Sequence, residues 1–319
     1  ALFVGLYKLH VSSDMIFGAI FLGLCAVFAA LTYRVSKTCA NIAAMSVYAL
    51  GAGLAFLCAV MIGLDNMWLT LGLFFGIILA GLACVKLPLT VNRMMTAGFA
   101  VLAAAQILTF EITDPASVSG VTIFNQLWIY FALPTLICAV EAWAISKNKT
   151  DLWSEGLKAL SLAFMALFFI FQIRHVMNGG NLFADRYSLD ELALQVLVGL
   201  SFTLGGSLIA APKVISNNAL HTQLIPGLMM GVSFFTLAAF VLGICLVRAP
   251  LFNAGIDIRG GWILNSLLLA YLLPALMLGL VSYLSRGKRP LVYVQVMAAL
   301  SLVSFMFYIT SIDKRFCFN

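Results

Sequence analysis

Apolar residues run along this chain in blocks of about twenty, separated by short polar turns. They show neither the alternation of a half-buried strand nor the one-sided stripe of a surface helix. The blocks predict ten helices, over residues 15–33, 40–63, 67–85, 91–110, 122–145, 157–176, 190–210, 224–247, 261–284 and 291–311. Crossing the hydrocarbon core of a bilayer takes roughly 17–25 helical residues, so each block is long enough to span. Strands of a membrane barrel would alternate over roughly ten residues, whereas these runs are apolar on every face. In lipid the backbone must pair with itself, which makes a continuous apolar run a helix. The expected fold class is therefore all-α, a polytopic transmembrane bundle. Residues 212–224 are only mildly polar, so nine to eleven helices remain open. Residues 1–13, with Lys8 and His10, read as a partial helix or interfacial segment and lack the layout of a signal peptide. With no initiator Met and an abrupt end at Asn319, a piece of a longer chain is expected.

Composition agrees with the pattern. Hydrophobic residues make up 63% of the 319 and charged residues 9%, with a mean hydropathy of +1.07. That is too little charge to coat a soluble globule. The sequence pI near 9.0 does not point to nucleic acid, because the cations are scattered over several membrane-proximal turns with no basic groove or aromatic platform beside them. Membrane lipids with anionic head groups are the expected partners, together with other envelope membrane proteins.

The turns divide by charge. On the side of the N-terminus fall seven cations, Lys8, Arg174, Arg186, Arg248, Arg259, Lys314 and Arg315. The opposite side holds eleven: Arg34, Lys37, Lys86, Arg93, Lys147, Lys149, Lys158, Lys213, Arg286, Lys288 and Arg289. Nine acids lie on the first side and two, Asp151 and Glu155, on the second. The positive-inside rule assigns the second side to the cytoplasm and places both ends of this segment outside it.

Two stretches share a pattern at an offset of 140: Asn125 and Pro134 in the first, Asn265 and Pro274 in the second. Arg174 and Asn178 recur as Arg315 and Asn319 at an offset of 141. A four-helix unit used twice explains this, with residues 67–189 and 190–319 as the copies and 1–66 as two leading helices. Four is even, so the copies would share one membrane orientation, a parallel repeat.

The run Ile173-Arg174-His175-Val176-Met177-Asn178-Gly179-Gly180, followed by Ser188-Leu189-Asp190-Glu191-Leu192 at the opening of the next helix, resembles the motif of the DUF2339 family. Both asparagine-to-proline stretches are similar to the family's pattern as well. Gln172 stands where the family motif usually has an acid, and Met177 where it has an aromatic. The resemblance implies multi-pass organisation and a bacterial inner-membrane home. It implies no reaction.

Candidate chemistry gathers at helix ends on the N-terminal side. Arg174 could grip a phosphate or carboxylate, His175 could transfer a proton, and the glycines after Asn178 could expose N–H groups to an anion. Arg315 would join them if the repeat holds. Asp114, Asp185 and Asp257 could line the same cleft, with His175, as an acid/base set. The local alternative is an arginine anchoring a helix end. Glu141, inside the fifth helix, is an intramembrane ionisable group and so a functional candidate; an interfacial anchor explains it equally well. Gln106, Gln195 and Gln295 suit interhelical hydrogen bonds, and Gly51, Gly53, Gly199, Gly205 and Gly206 suit close helix packing. The seven cysteines form no CxxC and there is no HExxH, P-loop or dinucleotide fingerprint, so neither metal nor cofactor is expected. Three function classes remain. A scaffold or accessory component of envelope assembly is favoured, followed by a carrier or flippase for a lipid or amphipathic solute, then an enzyme acting on a lipid-linked envelope substrate.

Overall fold

A computed structural model describes residues 2–38, 41–111, 125–147, 151–182, 188–209, 235–247, 265–287 and 290–317. The helices are α1 (Leu2–Thr38), α2 (Ile42–Gly63), α3 (Asn66–Lys86), α4 (Thr90–Gln106, extended by a π-helical turn, Ile107–Glu111) and α5 (Leu133–Ser146, entered through a π-helical turn, Trp128–Ala132). Then follow α6 (Leu152–Met177) and α7 (Leu189–Ile209). Next come α8 (Phe235–Val247), α9 (Leu273–Ser285, entered through the π-helical turn Leu268–Leu272) and α10 (Leu291–Cys317). Eight helices among the described residues are long and apolar enough to cross a membrane, namely α1 to α6, α9 and α10. The all-α transmembrane reading holds, and most boundaries fall within a few residues of those expected. The leading residues differ: helix runs unbroken from Leu2 into α1, which has 37 residues. At 1.5 Å per residue that is roughly 55 Å, well beyond the hydrocarbon thickness.

Sequence explains the helix ends. Asn41 caps α2, its Oδ1 accepting from the N–H groups of Ala43 (3.0 Å) and Ala44 (3.2 Å). At the two prolines the ring removes a donor and crowds the carbonyl four residues back, which an α-helix cannot absorb. A π-helical turn precedes each: Leu133 donates to the Trp128 carbonyl ahead of Pro134, and Leu273 to the Leu268 carbonyl ahead of Pro274. Both turns start from a buried asparagine. Asn125 Oδ1 accepts from the Leu127 N–H and Asn265 Oδ1 from the Leu268 N–H, each at 3.0 Å.

The chain forms two compact units, one of Ala1–Ser119 with Phe124–Met165 and the other of Gly120–Ile123 with Ala166–Asn319. In the first, α1 lies along α2, and α3 packs on α4 and α5. A Cβ on Gly18 would stand 3.3 Å from the Cα of Gly63, so the α1 and α2 backbones nearly touch there. Leu73, Phe74, Ile77, Phe99, Ala100 and Ala103 form its centre. The second unit is centred on Tyr271, whose hydroxyl donates to the Ile244 carbonyl (3.3 Å) and whose ring stacks on Phe307. Leu200, Phe240, Leu278 and Val281 close around it. A Cβ on Gly199 would run into Thr236, so this glycine sets the approach of α7 to α8. Gly51 and Gly53 likewise sit against Phe28 and Met95, whereas Gly205, expected to pack closely, meets nothing within 4 Å.

Candidate functional site

The last turn of α6 carries Arg174 and His175, and Asn178 follows directly on its end. Gly179 and Gly180 take positive φ values of 62° and 96°, which residues with a Cβ rarely adopt. Gly179 N–H donates to the Val176 carbonyl (3.3 Å) and Gly180 N–H to the His175 carbonyl (2.8 Å), the two bonds of a Schellman closure. The expectation that these glycines turn N–H groups toward an anion therefore gives way: both donors complete the helix end. Arg174 is buried, and its Nε donates to the Leu182 carbonyl at 2.6 Å. Its Nη1 donates to Glu191 Oε1 at 2.7 Å, forming an ion pair in which the acid is wholly buried. Asn178 Nδ2 donates to Glu191 Oε2 (3.1 Å) and to the Arg174 carbonyl (2.8 Å). His175 is 0% exposed.

Glu191 is the residue that sequence reasoning passed over as a partner. Its signal was present, since Ser188 and Glu191 have the spacing of a capping box, and the Ser188 hydroxyl does accept from the Glu191 N–H (3.1 Å). The Glu191 carboxylate turns instead to Arg174. Asp114, Asp185 and Asp257 lie outside the described residues. Arg315 is helical, near the end of α10, and its side chain is outside them too. Among the described residues no three His, Cys, Asp or Glu side chains come together as a metal site.

At the other end of α6 a second ion pair joins Arg93 of α4 to Asp151, with Nη1 and Oδ2 2.5 Å apart. Asp151 also caps α6, exchanging bonds with Ser154 in both directions, 3.0 and 3.1 Å long. Burial works against the Asp151 carboxylate, but the Arg93 guanidinium and the Ser154 donors outweigh it and hold its carboxyl below the usual range.

Glu141, in α5, is 7% exposed and packs directly on the backbone of Gly81 in α3. Cys138 precedes it by one turn, and Cys84 of α3 interacts with both it and Arg93. Elsewhere in this unit α1 to α4 enclose an apolar groove of about 280 Å³, walled by Cys25, Ala49, Phe56, Leu79, Met95 and Phe99. Thr32, Tyr33 and Asn92 close one end of it. Lys37 Nζ lies 5.8 Å from the Tyr33 ring centroid, so a cation stands by that end.

Eight membrane-length helices, a buried ion pair joining two of the helices and an apolar groove define a multi-pass α-helical membrane protein. The chain belongs to the DUF2339 family, described as predicted membrane protein, whose model matches residues 1–318. No curated protein and no solved structure matches it.

Proposed function

We propose that the chain is a scaffold or accessory component of the bacterial inner membrane, serving in envelope assembly. The observation that carries this reading is the commitment of Arg174: its guanidinium is held by Glu191 and the Leu182 carbonyl, so the cluster joins α6 to α7. Outward-facing apolar surface supplies docking area within the membrane. In α10, Leu302, Phe305, Met306 and Ile309 are exposed, a face that neighbouring helices or lipid would cover. The enzyme reading draws no support from His175, which is enclosed.

The same reading has the cation-rich turns in the cytoplasm and both ends of the segment outside it, supported by the distribution of Lys and Arg. It also has the chain duplicated, with α3 to α6 and α7 to α10 as parallel copies. Ser161 donates to the Thr135 carbonyl (2.9 Å) and Ser301 to the Ala275 carbonyl (2.7 Å), both partners again offset by 140. The asparagine-started π-helical turns match at that offset, and α3 and α7 both have 21 residues.

A lipid-carrier reading is favoured by the α1 to α4 groove, whose apolar wall and cationic end suit an acyl chain below an anionic head group. Photo-crosslinking from Phe305 and from Leu79 in intact cells separates the two. Discrete protein adducts at Phe305 are expected; lipid adducts confined to Leu79, with none to protein, would overturn the scaffold in favour of the carrier.

A further inference from the structure

Glu141 has no structural reason to be an acid. It makes no hydrogen bond and no ion pair among the described residues, although 93% of its surface is enclosed. A carboxylate without donors in such a place is costly, and it persists as a neutral acid or not at all. The second unit shows what the position otherwise takes. At the offset of 140 stands Val281 in α9, fully buried in the hydrophobic centre. Packing alone would therefore be served by an apolar side chain.

Its surroundings fit a group that changes charge. Gly81 leaves no Cβ where the carboxyl lies, so the space beside α3 is shaped around it. Among the described residues the titratable groups that face it are few. Cys138 lies on its own helix, and Cys84 on α3, where the thiol bonds in turn to Arg93 of α4, itself paired with Asp151 at the start of α6. This polar file runs from Glu141 toward the end of the unit where α5 stops at Ser146. Ser146 comes five positions after Glu141, about 8 Å along the helix. Among the described residues no cation sits against the carboxyl to hold it ionised.

We propose that Glu141 is a proton-binding site within the membrane, holding a proton at rest and exchanging it with the aqueous side on which Arg93 and Asp151 lie. Loading forms one O–H bond on the carboxylate with a proton from water, and release returns that proton and leaves the charge beside Gly81.

The test uses the full chain in lipid nanodiscs and dicyclohexylcarbodiimide, an apolar reagent that attacks only protonated carboxyls. The acid gives its proton to a carbodiimide nitrogen while its oxygen bonds the central carbon, and the adduct rearranges to a stable N-acylurea that peptide mass spectrometry locates. Modification of Glu141 at neutral pH is expected, falling about tenfold per pH unit above the carboxyl's midpoint. It should be absent in Glu141→Gln and weaker in Gly81→Ala, which displaces the carboxyl. The pH series on the unaltered chain stands even where a variant fails to fold. No modification of Glu141 at neutral pH, or equal modification by a water-soluble carbodiimide, overturns the proposal.

Discussion

The cluster at the end of α6 is a clamp assembled from side chains that each had an alternative use. Glu191 is the member whose loss should be felt most, because Arg174 would stay buried with its principal counter-charge gone. Removing one partner of a buried pair costs about 3–5 kcal/mol, although the intact pair contributes far less than that. Glu191→Ala is therefore expected to lower stability by about that amount in a thermal or denaturant series in lipid, with Glu191→Gln intermediate because its amide oxygen still accepts from Arg174. A loss under 1 kcal/mol for Glu191→Ala would show that Arg174 leans on other partners. Arg174 and Asn178 were legible in the sequence as chemistry-bearing residues. Their acceptor was not, because it lies 17 positions from Arg174 and 13 from Asn178, in the opening turn of the next helix. What decided their role was geometry: the two glycines spend their donors on the helix end.

Helices in this chain are positioned by caps and prolines more than by hydrophobicity. The Arg93 and Asp151 pair ties the first turn of α4 to the N-cap of α6. Asp151's carboxyl titrates lower in the folded chain than in the unfolded one, so its contribution is complete above the ordinary carboxylate range. That contribution is lost as the pH falls through the depressed value, because the unfolded chain then binds a proton more readily than the folded one. Thermal midpoints taken from neutral to acid pH should fall for the native chain, and the part due to this pair should vanish in Asp151→Asn. Identical acid slopes in the two proteins would assign the acid sensitivity elsewhere. At this scale the sequence was largely readable, since twenty-residue apolar blocks leave little freedom to the backbone in lipid. The π-helical turns were not, because hydropathy carries no trace of one extra residue in a turn; only the prolines after them hinted at a disturbance. For the leading residues, where Lys8 and His10 left a partial helix and an interfacial segment both open, the structure has helix, because a helix can carry polar residues without stopping.

For the whole molecule, charge rather than packing sets the expected orientation. Lys149→Cys and Arg186→Cys, each in a background without other cysteines, give opposite results with a membrane-impermeant maleimide if the positive-inside reading holds. Position 186 should react in intact cells and position 149 only after permeabilisation. Reaction at 149 in intact cells would invert the topology, and with it the side from which Glu141 takes its proton, while leaving the proton site itself in place.

The turn over Trp128–Ala132 reaches further than its five residues. A π-helical turn is in effect an insertion of one residue that the helix has absorbed. Every position after it is phased about 100° away from where an uninterrupted α-helix would have put it. The direction in which Glu141 points is thus written upstream, ahead of Pro134 and more than two helical turns before the acid itself. Deleting a single residue there would leave Glu141 in the sequence and Gly81 in α3, yet swing the carboxyl to another azimuth, so that an indel far from the acid would lose the site as surely as replacing the acid itself.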